Sequence, residues 1–63
     1  MKIILTDNFG REEVSDTLIA ENVPEFWAPS LVELLNKHYS SGLSPYWFRM
    51  VADNAKLYVY DPR

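Results

Sequence analysis

A chain of 63 residues with a net charge of −3, no cysteine and 48% hydrophobic content is one small domain, 1–63, too rich in apolar side chains to be disordered. Without cysteine there is neither a disulfide framework nor a thiolate metal site. The mild, scattered acidity argues against nonspecific nucleic-acid binding, which needs clustered Lys and Arg, and is too sparse for a DNA mimic.

Near the start, the only apolar run is Ile3-Ile4-Leu5, short of the about 7–15 residues of a signal peptide. Nowhere does an apolar stretch approach the ~20 residues of a membrane span. A cytoplasmic location is the expectation. A domain of this size buries only ~60% of the surface its unfolded chain exposes, so association with a partner would help it.

Taken in chain order, Lys2–Thr6 is short, β-branched and followed by the turn formers Asp7-Asn8-Phe9-Gly10, which predicts a strand and a loop. Arg11-Glu12-Glu13 continues as a charged connector. Within 14–22, Thr17-Leu18-Ile19-Ala20 suits a second strand antiparallel to the first, with a short helix as the competitor because Ala, Glu and Leu favour helix. Pro24–Ser40 carries the helix. Trp27, Leu31, Leu34, Leu35 and His38 fall at i, i+4, i+7, i+8 and i+11, the stripe of an amphipathic helix. Ser30, Glu33, Asn36 and Lys37 take the opposite side.

Pro29 sets the helix start. In the interior of a longer helix it would lose a hydrogen bond and clash; in the first turn its missing N–H costs nothing. The spacing therefore predicts a turn or short helix over Pro24–Trp27 and a main helix from about Pro29. Asn22-x-x-Glu25 and Ser30-x-x-Glu33 both have capping-box spacing. Ser40-Ser41-Gly42 is a helix stop with glycine available for a left-handed cap.

Tyr46–Val51 and Lys56–Tyr60 read as two strands of a hairpin, joined by the turn Ala52-Asp53-Asn54-Ala55. The predicted fold class is α+β: β-β-α-β-β order, a small antiparallel sheet of about four strands, and one main helix packed on one face. Alternation then divides the hairpin. Phe48, Met50, Leu57 and Val59 face the helix with Ile3, Leu5 and Leu18. Trp47, Arg49, Val51, Tyr58 and Tyr60 face outward with Ile4, because Arg49 and Lys56 mark the wet side.

That outer face is aromatic. In an architectural reading, its aromatics are cross-strand partners stabilising a half-exposed sheet. An interface reading rests on Tyr, Trp and Arg being the residue types enriched at contact hot spots. Base stacking on single-stranded nucleic acid is the third reading; Arg49, Lys56 and Arg63 lend it some charge, and the net charge opposes it. Val23, Phe26, Trp27 and Ala28 before the helix read as a plug for one end of the core, or else as an exposed anchor, since Phe26 and Trp27 are adjacent on one turn.

Chemistry is poorly represented. His38 is the single histidine and lies on the stripe near the helix C-terminus, where the dipole favours a cation; it reads as a core-edge or capping residue. Asp7, Glu12, Glu13 and Asp16 do not match the spacing of a calcium loop. Ser15, Ser30, Ser40 and Ser41 have turn or cap explanations, and Gly10 and Gly42 form no phosphate loop. The expectation is a non-enzymatic interaction or regulatory protein with no metal, cofactor, small-molecule substrate or membrane partner. Its partner-binding set is Trp47, Arg49, Tyr58 and Tyr60, and its partner is another protein or a second copy in a homodimer through that face. The alternative is a single-stranded nucleic-acid-binding module using the same aromatics.

Overall fold

The computed structural model describes residues 1–40 and 42–62; Ser41 of the expected helix stop and Arg63 of the expected basic set lie outside them. Three strands and one helix form in the order β1 (Lys2–Asp7), β2 (Thr17–Ala20), α1 (Ala28–Tyr39) and β3 (Tyr46–Val51). The sheet order is β2-β1-β3, and both pairings are antiparallel. The α+β class, both N-terminal strands and the position of β3 follow the expectation.

β1 is the central strand. Opposite β3 its register sets Ile3 against Met50 and Leu5 against Phe48 on one face, and Ile4 against Arg49 and Thr6 against Trp47 on the other. Opposite β2 the register shifts between Ile3, paired with Ala20, and Ile4, paired with Leu18, so Ile19 is the extra residue of a bulge. Beyond the strands, Met1 and Val23 exchange two hydrogen bonds of 3.0 and 2.7 Å, which prolongs the ladder.

The helix begins as Pro29 requires. The Pro24 carbonyl accepts from the N–H groups of Trp27 and Ala28 at 2.9 and 3.1 Å, making the expected turn. Trp27 is the N-cap, and Pro29 stands within the first two helical positions. Neither capping box forms: no side chain caps the helix, and Asn22 instead takes a left-handed φ of 58° that its short polar side chain tolerates. Gly42 has a φ of 70° just past the helix end.

Which side of α1 packs inward differs from expectation. Ala28 is fully buried, and Val32, Leu35 and Asn36 are half-buried. These fall at i, i+4, i+7 and i+8, a stripe displaced by one residue from Trp27, Leu31, Leu34, Leu35 and His38. Only Leu35 belongs to both.

The displacement has a polar cause. The side-chain amide of Asn36 receives the Phe48 N–H on Oδ1 at 2.8 Å and donates from Nδ2 to the Phe48 carbonyl at 2.9 Å. It thus pairs with β3 as a neighbouring strand would. The Ser40 hydroxyl donates to the Tyr46 carbonyl two residues along the same edge. Main-chain groups of alternate strand residues point to the same edge, so α1 lies along the outer edge of β3. From there it reaches over the face carrying Phe48, whose ring lies 6.3 Å from that of Tyr39.

This closure overturns the expected fourth strand. Lys56–Tyr60 has no edge of β3 to join, and residues 52–62 form no strand. The turn itself is present: the Ala55 N–H bonds the Ala52 carbonyl at 3.0 Å. Past it the chain crosses to the opposite side of the sheet. The Asp16 N–H donates to the Tyr58 carbonyl at 2.8 Å, the Tyr58 N–H to the Asp16 carboxylate at 3.0 Å, and the Tyr60 N–H to the Ser15 hydroxyl at 2.8 Å. Asp16 is held in turn by the Thr6 hydroxyl at 2.6 Å.

The hydrophobic core is correspondingly small. Ile3, Ile4, Ala28 and Phe48 are the buried apolar residues among those described, with Ile3 and Ile4 each 1% exposed. Burial of both Ile3 and Ile4 means that β1 is covered on both faces, so the face assigned to solvent is covered at its centre. With α1 on the other face, the tail and the 8–16 loop are the segments left to cover Ile4. Of the expected inner set, Met50, Leu18 and Val59 are exposed and Leu57 is half-buried. Val59 was placed by the alternation of a strand that does not form.

One loop is pinned by charge. The Asp7 carboxylate accepts from the Phe9 and Arg11 N–H groups at 3.2 and 2.6 Å, and from the Arg11 guanidinium at 2.8 and 2.5 Å. The guanidinium hydrogen bonds foremost, then the Arg11 main chain, hold the Asp7 carboxyl below its ordinary value of 3.8 against an opposing effect of burial.

Two outcomes follow from these contacts. Replacing Asn36 with Ala strands the Phe48 N–H and carbonyl at a half-buried edge and is expected to cost about 1–3 kcal/mol; Ser30→Ala, on the exposed side, should stay within about 0.5 kcal/mol. Urea unfolding of both variants checks this, and equal losses would contradict it. For Asp7, a lowered folded pKa contributes stability above the unfolded value, and that stability is lost as pH falls through the folded pKa. Asp7→Asn should therefore be less stable than wild type above about pH 5 and converge with it in strong acid. Unfolding midpoints across that range give the difference directly.

Candidate interaction surface

Trp47 and Arg49 are neighbours along one side of β3, and their register opposite Thr6 and Ile4 puts them on the face away from α1, as their alternation predicts. Both are exposed, Trp47 by 40%. Tyr58 and Tyr60 are exposed too, but they stand on the tail rather than on a strand paired with β3. The main chain at Tyr58 is tied to Asp16, and its hydroxyl donates to the Glu12 carbonyl. The four residues are therefore two pairs on different supports.

The architectural reading of these aromatics requires rings that meet across strands. Among the described residues no ring contact joins Trp47, Tyr58 and Tyr60; the ring pairs present are Phe26–Trp27, His38–Tyr39 and Tyr39–Phe48. The Tyr58 hydroxyl donates to the Glu12 carbonyl, and Trp47 is 40% exposed.

A second exposed surface emerges on α1. Phe26 is 81% exposed and packs edge-on against Trp27 at 5.0 Å between ring centroids. Leu31 and Leu34 follow along the helix, exposed, and His38 is exposed beyond them. Of the four residues read as a core plug, Ala28 is fully buried and Val23 half-buried, while Phe26 and Trp27 are exposed. This surface was visible in the sequence as an amphipathic stripe; what periodicity lacked was the Asn36 contact that turns the stripe outward.

The exposed area has a scale to be judged against. A folded monomer of 7.4 kDa is expected to expose roughly 4,200 Å². This chain exposes 4859 Å², about 650 Å² more than that scaling gives. Among the large apolar side chains described, Phe9, Phe26, Trp27, Leu34, Tyr39, Leu43 and Val59 are more than half exposed.

Chemical features elsewhere are few. Among the described residues no pocket is enclosed, no three His, Asp or Glu side chains gather as metal ligands, and no helix is long and apolar enough to cross a membrane. Every buried side-chain nitrogen or oxygen described has a hydrogen-bond partner.

No protein-family model, curated protein or solved structure matches the chain.

Proposed function

We propose that this chain is a non-enzymatic interaction protein that acts through protein–protein contact, with Trp47 and Arg49 on the sheet face away from α1 and Tyr58 and Tyr60 on the tail as its contact residues. The observation that supports the reading is the exposure of Trp47, Tyr58 and Tyr60 together with Arg49. Exposed apolar surface beyond the scattered residues of an ordinary monomer marks interaction sites. Trp, Tyr and Arg are the types that carry most of the free energy at such contacts. The supports are rigid on one side and tethered on the other: Trp47 and Arg49 ride on a paired strand, and the tail is fixed at Ser15 and Asp16. A preformed surface loses little conformational entropy on binding.

The net charge of −3 and the scattered basic residues give no support to a nucleic-acid reading, whose affinity would come from phosphate neutralisation.

Capture from native extract with immobilised wild-type chain, alongside a Trp47→Ala/Arg49→Ala variant shown to be folded by circular dichroism, tests the proposal. The expected result is a protein retained by wild type and depleted about tenfold or more by the variant, the effect of losing contacts worth above 1 kcal/mol. Equal retention by both chains, or salt-sensitive recovery of nucleic acid in place of protein, would overturn it.

A further inference from the structure

We infer that the tail beyond Ala55 is a strap, latched at Asp16, that opens while the sheet stays folded, and that its release withdraws Tyr58 and Tyr60 and uncovers Ile4. The opening is read from the chain alone; its bearing on function rests on the contact proposed above.

The path of the tail is the first support. The chain leaves β3 at Val51, opposite Lys2 of β1, and the Asp53 carboxylate pairs with the Met1 amine at 2.8 Å. It is tied again at Asp16, which stands just before β2 and beside Thr6. Because β1 lies between β3 and β2, the segment from Asp53 to Tyr58 crosses β1 between Lys2 and Thr6, with Ile4 midway. The side of the crossing is fixed as well. Alternation puts Thr6 and Ile4 on one face, away from the face of Phe48 that α1 reaches over. A single carboxylate, that of Asp16, receives the Thr6 hydroxyl at 2.6 Å and the Tyr58 N–H at 3.0 Å, so the tail passes on the Ile4 side. The crossing accounts for an isoleucine that is 1% exposed on a face without a helix over it.

The weakness of the hold is the second support. Of residues 52–62, Ala55 and Leu57 are half-buried and the others exposed, so little apolar surface opposes release. The far end is tied to the loop before β2: the Tyr58 carbonyl accepts from the Asp16 N–H at 2.8 Å, the Ser15 hydroxyl from the Tyr60 N–H at 2.8 Å, and the Glu12 carbonyl from the Tyr58 hydroxyl. A segment with few buried apolar contacts and exposed hydrogen bonds opens at a lower free energy than the whole domain. Asp16 is the latch because its carboxylate alone joins strap and sheet.

Release exchanges one surface for another. With the strap closed, Trp47 and Arg49 on the sheet are accompanied by Tyr58 and Tyr60. With it open, the tyrosines leave and Ile4 is uncovered between Leu18 and Arg49, its neighbours in register. A ligand that binds one arrangement better shifts the population toward it.

Thiol labelling tests the inference. The chain has no cysteine, so Ile4→Cys and Ile3→Cys each introduce one reporter, and Ile3, equally buried on the α1 side, is the control. Each labelling rate under native conditions is compared with that variant's own global unfolding in urea. Ile4→Cys is expected to react about a hundredfold faster than global unfolding allows, and about tenfold faster again with Asp16→Ala, while Ile3→Cys is held to the global rate. If Ile4→Cys does not fold, hydrogen exchange in wild type decides: the Asp16 amide should exchange about a hundredfold faster than amides of the β1–β3 ladder. Equal labelling at the two positions, or Asp16 exchange at the ladder rate, overturns the strap, and a rate indifferent to Asp16→Ala overturns the latch. No partner enters these measurements, so the strap and the contact at Trp47 and Arg49 fail separately.

Discussion

The structure turns on one side-chain amide. Asn36 offers Phe48 an acceptor and a donor at 2.8 and 2.9 Å, the pairing a neighbouring strand would supply. An open edge of β3 would leave a row of main-chain groups ready to bind any passing strand. With Asn36 and Ser40 engaged along it, that edge is closed by the helix, and the rest of the architecture follows. The helix is rotated to present Asn36 and Val32 rather than Trp27 and Leu31. The tail finds no strand to pair with and crosses the sheet instead. The sheet stops at three strands.

The division of labour between polar and apolar contacts is unusual for so small a domain. Few apolar residues are buried, while hydrogen bonds from side chain to main chain recur at the junctions: Asn36 on Phe48, Ser40 on Tyr46, Asp16 on Tyr58, Ser15 on Tyr60, and Asp7 on its own loop. Such bonds contribute only about 0.5–1.5 kcal/mol each in net terms. Their larger effect is to select one arrangement among several that would bury a similar area. The apolar surface not used in that arrangement remains exposed on the outward side of α1 and at Trp47 on the sheet face.

Much of the fold was legible in the residues. Strand propensity in Lys2–Thr6 and Thr17–Ala20, the helix start set by Pro29, the turn at Ala52–Ala55 and the alternation of β3 are local properties, and each appears where local rules place it. What was not legible is non-local. Periodicity shows that α1 has an apolar stripe, not whether that stripe meets its own sheet. Asn36 reads as a surface residue because nothing in its neighbourhood reveals that Phe48 needs both a donor and an acceptor. Lys56–Tyr60 alternates as a strand does, yet a strand requires an unoccupied edge, and the edge is taken. The candidate contact residues show the same split: Trp47 and Arg49 stand as expected, while Tyr58 and Tyr60 were placed by a hairpin that does not form.

Nuclear Overhauser contacts around β3 test the edge closure most directly. The account predicts contacts between the side-chain amide protons of Asn36 and the backbone of Phe48, together with contacts from Tyr58 to Asp16, and no cross-strand Hα–Hα contacts between residues 46–51 and 56–60. A ladder of Hα–Hα contacts joining those two segments, with the Asn36 amide in solvent, would contradict it.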